Sequence, residues 1–120
     1  MSRYEPIQIP DYLPMEIPVF SIGQMVKHRR YGYRGVVVDY DLTCRANEQW
    51  YRSNQTQPER SQPWYHILVS DSEINTYAAE SSLVADDLAE PIDHPLIDHF
   101  FEDYEGMRYV RNDEPWPGWA

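Results

Sequence analysis

Residues 24–41 read QMVKHRRYGYRGVVVDYD, and the reading of these two runs around a glycine-punctuated turn decides the fold. Val26, Val36, Val37 and Val38 are β-branched, and Tyr31, Tyr33 and Tyr40 are aromatic, so the side chains suit a pleated, half-buried surface. Gly32 and Gly35 break the run between them. The stretch predicts two strands joined by a turn over YGYRG. Downstream, WYHILVSD (64–71) and NTYAAE (75–80) flank a short polar turn around Ser72 to Asn75, and predict a β-hairpin. SSLVADD (81–87) adds a last strand or a single turn. Between the two pairs, residues 42–62 are polar and rich in Asn, Ser, Gln and Pro, and predict a long loop with a short helix near Ala46 to Tyr51.

Four or five short strands with one long insertion predict a mainly β fold, a small SH3-like barrel that is closed or half-closed. Outside it the character of the chain changes twice. Pro6, Pro10, Pro14 and Pro18 recur every four residues, which excludes a helix and a central strand, so residues 1–18 are expected to form an extended N-terminal arm. Its apolar face, with Ile7, Ile9, Leu13, Met15, Ile17 and Val19, lies either on its own domain or on a partner or neighbouring subunit. At the other end Leu96, Ile97, Phe100, Phe101 and Tyr104 recur at three and four, predicting a short C-terminal helix packed on the barrel, followed by a Pro- and Gly-rich tail with Trp116 and Trp119. The expected division is an arm at 1–18, a barrel domain at 19–87 and an acidic extension at 88–120.

The chain has 120 residues, 42% hydrophobic and 14% aromatic, enough for one compact core. Its single cysteine, Cys44, forms no internal disulfide and points to a reducing, cytoplasmic setting. No apolar window is long enough for a membrane span, and the first residues lack the pattern of a signal peptide. The net charge of −10 is uneven: residues 1–18 carry −2, residues 19–83 are neutral, and residues 84–120 carry −8.

The residues supply no catalytic, cofactor or metal motif. There is neither H-E-x-x-H nor paired C-x-x-C, and His94 and His99 sit about 140° apart round a helix, so they cannot share a metal on one face. The scattered glycines form no phosphate-cradling loop. Cys44 would need His28 or His66 brought to it by the fold to act as a nucleophile, and it reads instead as a free cysteine. What remains is binding. The one basic concentration is Lys27, His28, Arg29, Arg30 and Arg34, and within it Lys27, Arg29, Arg30 and Arg34, interleaved with Tyr31 and Tyr33, are candidates for gripping phosphate and stacking bases. If all four cations met phosphates, log affinity would fall with log salt at a slope of roughly −3.6. The alternative is that strand alternation divides them between two faces and pairs them with Asp39, Asp41 or the acidic tail. Trp64, Tyr65 and His66, the Tyr31-Tyr33 turn, and Trp116 with Trp119 are candidates for contact with a protein partner, although Trp64 and Tyr65 also suit a core.

Taken in order, FSIGQMVKHRRYGYRGVVVDYD, then Cys44 and Trp50, then QPWYHILV and TYAAESSL, the chain resembles the HspQ/YccV-like family, also called the hemimethylated DNA-binding domain. The shared pattern is F-x-I-G-Q-x-V-x-H, a Y-x-G-V turn and strand, an aspartate, and P-[FW]-Y-H-[IV]-L. The long insertion looks more like the version fused to F-box proteins than the compact bacterial heat-shock version. HPLIDHFFEDYEGMRYVRN (94–112) resembles the segment that follows the domain there. Asp39-Tyr40-Asp41 departs from the Gly-Trp-Asp of many relatives. The resemblance implies an SH3-like barrel, no catalysis, room for self-association, and two activities: binding hemimethylated DNA, or acting in proteolysis as adaptor or specificity factor between a client and an ATP-dependent protease or ligase.

Overall fold

The computed structural model describes residues 17–88 and 90–117; the proline-spaced arm up to residue 16, and Trp119, lie outside the described residues. The two predicted strands are β1 (Met25–His28) and β2 (Arg34–Asp41). The long loop carries α1 (Glu48–Ser53), whose start is fixed by Asn47, its Oδ1 accepting the Trp50 amide at 2.8 Å. The hairpin is β3 (Trp64–Val69) with β4 (Asn75–Ala79), and a 3-10 turn at Glu80–Ser82 leads into β5 (Leu83–Ala85).

These strands form one antiparallel sheet in the order β4-β3-β2-β1-β5. The fold is mainly β, as expected. Of the small barrel, the described residues show an open five-stranded sheet: β4 and β5 are its two edges and share no ladder.

Both faces of the sheet are covered, which explains why Val36, Val37 and Val38 are all 0% exposed instead of alternating in and out. On one face Val26, Val37, Tyr65, Ile67, Ala78 and Leu83 pack with Phe20. The Tyr65 hydroxyl donates to Glu80 Oε2 at 2.8 Å and accepts the Phe20 amide at 3.1 Å, so the one polar atom of that core is satisfied. On the other face Met25, Val36, Val38 and Leu68 lie under Ile92, Phe100, Phe101 and Tyr109. Further along, Trp64, Tyr77 and Ala79 lie under Cys44, Ala46, Trp50 and Tyr51 from the long loop. A shift in register between Val37 and Asp39 sets Asp39 and Asp41 opposite His66 and Trp64.

The C-terminal segment departs from the helix expected through Tyr104. One turn, α2 (Ile97–Phe100), passes straight into β6 (Phe101–Glu105), which pairs with β7 (Arg108–Arg111). The two-residue link Gly106-Met107 has φ of 54° and 70°, a conformation that matches the twist of a tight hairpin. The helical spacing of the apolar residues is real but serves another purpose. Phe100, Phe101 and Tyr109 all reach the sheet, Phe100 from α2 and the other two from the two-stranded ribbon, where a continuous helix would turn Phe101 away. No helix among the described residues is long and apolar enough to cross a membrane.

Candidate functional site: the β1–β2 turn and the aromatic cavity behind it

His28, the last residue of β1, is 6% exposed and organises the turn that follows. Its Nδ1 accepts the backbone amides of Arg30 (3.1 Å) and Tyr31 (3.0 Å), so the ring is neutral with its proton on Nε2. Gly32, at φ 77°, closes the turn by donating its amide to His28 O at 2.9 Å. The rings of Tyr31 and Tyr33 then fall against the imidazole, at centroid distances of 4.6 and 5.1 Å. Tyr31 remains 51% exposed. Burial, and after it the nearby Arg30, lowers the His28 pKa.

Behind these rings is a cavity of about 90 Å³. His28, Tyr31 and Tyr33 line one side; Trp50, Trp64 and Tyr77, from the long loop and from β3 and β4, line the other. Burial pushes the Tyr33 hydroxyl up to about 12, against a hydrogen bond with Thr76 that pulls it down. The cavity therefore joins the turn to the insertion, two segments far apart in the chain.

The six basic-turn candidates do not stay together. Lys27, Arg29 and Arg30 are exposed and form no ion pair among the described residues. Tyr31 and Tyr33 belong to the stack on His28. Arg34 is a correction: its Nε donates to Asp86 Oδ2 at 2.7 Å and its guanidinium also donates to Glu90 O, with side-chain exposures of 17% and 6% for Arg34 and Asp86. It ties the segment after β5 to β2 and is not available to a phosphate. Arg34→Ala should therefore cost about 2 kcal/mol, because it leaves Asp86 unpaired in a place water barely reaches. Arg30→Ala should stay within about 0.5 kcal/mol. Urea unfolding of both variants separates the cases; equal costs would mean that Arg34 is not an anchor.

Of the partner-contact candidates, those described are packed against the domain. Trp64, Tyr65 and His66 are 2%, 0% and 5% exposed, because β3 is central in the sheet and both its faces are covered. Trp116 does not dangle either. It packs at 5.2 Å from Phe100 and 5.5 Å from His66, and the Arg111 guanidinium holds the tail there by donating to Val38 O, Phe100 O and Glu114 O. Trp50 and Thr76 join the site only through the fold, whereas His28 belongs to the basic stretch of the sequence. His28 carries a local signal as the histidine before a Gly-closed turn, and Trp50 one through the family resemblance.

A second polar cluster is structural. Asp41 Oδ2 accepts the Tyr77 hydroxyl at 2.7 Å and contacts His66 Nε2 at 3.3 Å. The geometry is that of an ion pair, yet burial outweighs Asp41 and lowers the His66 pKa, so a neutral ring donates its Nε2–H to the carboxylate. His28 and His66 both take up protons more readily when unfolded, so stability should fall as pH drops through the ordinary histidine value near 6.5. Carboxylates stay ionised between about pH 7.5 and about pH 5.5, so the histidines dominate that window. We expect a lower midpoint of thermal unfolding at the acid end, and a flatter profile for the double variant His28→Asn/His66→Gln, whose first substitution keeps a side-chain acceptor for the turn amides. Among the described residues no group of three or more His, Cys, Asp or Glu could hold a metal ion.

A small open β-sheet with a stacked aromatic turn and a loop-walled cavity fits a binding module. The sequence model for hemimethylated DNA-binding protein, YccV like, matches residues 18–108, and the chain belongs to that family. It is also similar to F-box only protein 21 of Homo sapiens, 34% identical over 98 residues that make up 79% of this chain and 15% of that protein. The Mus musculus and Pongo abelii proteins of the same name match at 34% over 98 residues, 16% of each. The chain thus spans about a sixth of the length of these relatives.

Proposed function

We propose that this chain is a non-catalytic module, a half-closed SH3-like barrel, that works in the cytoplasm as an adaptor or specificity factor in proteolysis by holding a protein partner at the Tyr31 turn. The observation that carries this reading is the half-exposed Tyr31, held rigid by His28 over an aromatic cavity. A preorganised aromatic anchor beside a pocket is the usual centre of a protein contact, since little ordering entropy is lost on binding. The F-box relatives support a protein partner, and the net charge of −10 disfavours a polyanion. The mechanism is tethering: raising the local concentration of a client beside a protease or ligase requires no chemistry from the module.

Immobilised chain, and its Tyr31→Ala variant, exposed to native lysate with and without nuclease, test this. A protein retained by the parent regardless of nuclease, and lost from Tyr31→Ala, is the expected result. Retention that nuclease abolishes contradicts it.

A second reading is favoured by the three unpaired cations Lys27, Arg29 and Arg30 and by the family's description as hemimethylated DNA-binding. With Arg34 engaged elsewhere, the salt slope on a hemimethylated duplex would be roughly −2.7. No salt-sensitive binding, with the triple alanine variant behaving like the parent, would remove this reading.

A further inference from the structure

We propose that Lys27 is the one side-chain amine at which the module accepts an acyl group, and that a protein joined there by an isopeptide bond closes the Tyr31 turn to its partner. The inference rests on the protein-partner reading above and adds its regulation.

The choice of basic residues comes first. Of ten, nine are arginine and Lys27 is the sole lysine, although lysine is among the commonest residues of soluble domains. Three of the arginines use a planar fork. Arg34 donates to Asp86 and to Glu90 O, Arg60 donates to Cys44 O and Ala46 O while lying 4.8 Å over the Tyr51 ring, and Arg111 gathers Val38 O, Phe100 O and Glu114 O. An ammonium does not reproduce these contacts. Arg29, Arg45 and Arg108 differ: they are exposed, and their side chains form no hydrogen bond or ion pair among the described residues. The preference for arginine at contact surfaces accounts for Arg29 and Arg30 at the turn. It does not account for Arg45 on the long loop or Arg108 on the ribbon, neither of which lines the cavity behind Tyr31. What lysine would add at such positions is a nucleophilic amine, since a guanidinium keeps its proton. The surface thus carries positive charge almost without acceptor amines. A module that holds a client beside a lysine-acylating ligase needs that property to avoid becoming the product itself.

The remaining amine is placed where it matters. Lys27 is the one exposed residue of β1, and it lines an open groove with Gly32 of the turn, Val84 and Leu88. Gly32 is the neighbour of Tyr31, so a protein-sized acyl group on Lys27 overhangs the ring that the partner needs. The step is acyl transfer without oxidation. The neutral Lys27 amine attacks the thioester that links the modifier's carboxyl terminus to its carrier; the C–N bond forms as C–S breaks, the thiolate leaves, and the amine proton passes to solvent.

The test uses immobilised full chain in native lysate, with ATP or depleted of it, and follows both adducts on the chain, mapped by peptide mass, and the protein retained through Tyr31. Parent, Lys27→Arg and the double variant Arg45→Lys/Arg108→Lys are compared. The parent should gain an ATP-dependent, protein-sized adduct at Lys27 and release its retained protein as the adduct accumulates. Lys27→Arg, which keeps the charge, should gain none and release nothing. The double variant should carry roughly three times the parent's adducts, in proportion to its lysines. No adduct at Lys27, no adduct at positions 45 and 108, or release from Lys27→Arg as fast as from the parent overturns the proposal. If a Tyr31-dependent protein is retained in any of these cases, only the proposal falls. If none is retained from the outset, the protein-partner reading falls with it.

Discussion

Gly23→Ala is expected to cost more than about 4 kcal/mol, most of the stability that a small domain possesses. Gly23 is buried at φ 92°, and a Cβ placed on it would lie 2.0 Å from Tyr109 O. Its amide donates to Val37 O at 2.7 Å and its carbonyl accepts the Tyr109 amide at 2.9 Å, next to the Gln24–Arg108 bridge. This one residue therefore joins the start of the sheet, β2 and the C-terminal ribbon, and neither backbone can retreat without losing a hydrogen bond. Gly32→Ala is the matched control. Gly32 is also at positive φ, 77°, but nothing lies within 4 Å of its missing Cβ, so only backbone strain remains, about 1 kcal/mol. Urea unfolding of both variants should differ in midpoint by a wide margin. Similar costs would mean that the ribbon is not locked to the sheet at Gly23.

Trp64→Ala should cost about 3 to 5 kcal/mol, the range for removing a buried aromatic. Trp64 is 2% exposed, sits 5.3 Å from Tyr77, and is met edge-on by Trp50 and Tyr51, while its Nε1 donates to Glu59 O at 3.3 Å. Its loss should release the long loop as well as open a cavity, so near-ultraviolet circular dichroism of the folded variant should drop along with the unfolding midpoint. A variant that keeps its stability but loses a partner would restore the surface-contact reading of Trp64.

The strands around the glycine turn and the 64–80 hairpin were legible because β-branched runs and turn residues are local signals. The C-terminal ribbon was not. Leu96, Ile97, Phe100, Phe101 and Tyr104 have helical spacing, and only the uncovered face of Met25, Val36, Val38 and Leu68, a tertiary fact, selects strands for residues 101–111. Gly106 was the one local hint of a tight link. The site was half legible. Lys27, Arg29, Arg30, Tyr31 and Tyr33 do share a turn, but Arg34 is drawn away by Asp86, fifty-two residues on, a pairing that charge counting cannot assign. Trp116 looked free because Pro-rich ends seldom pack, and the several carbonyls that Arg111 gathers reverse that expectation.

The central claim, that the Tyr31 turn holds a protein, is tested most directly by placing a photo-crosslinking amino acid at position 31 of the full chain and irradiating it in native lysate. A discrete protein adduct that survives nuclease and disappears in competition with unlabelled parent chain is the expected result. An adduct that nuclease destroys, or labelling that parent chain does not compete, would contradict it.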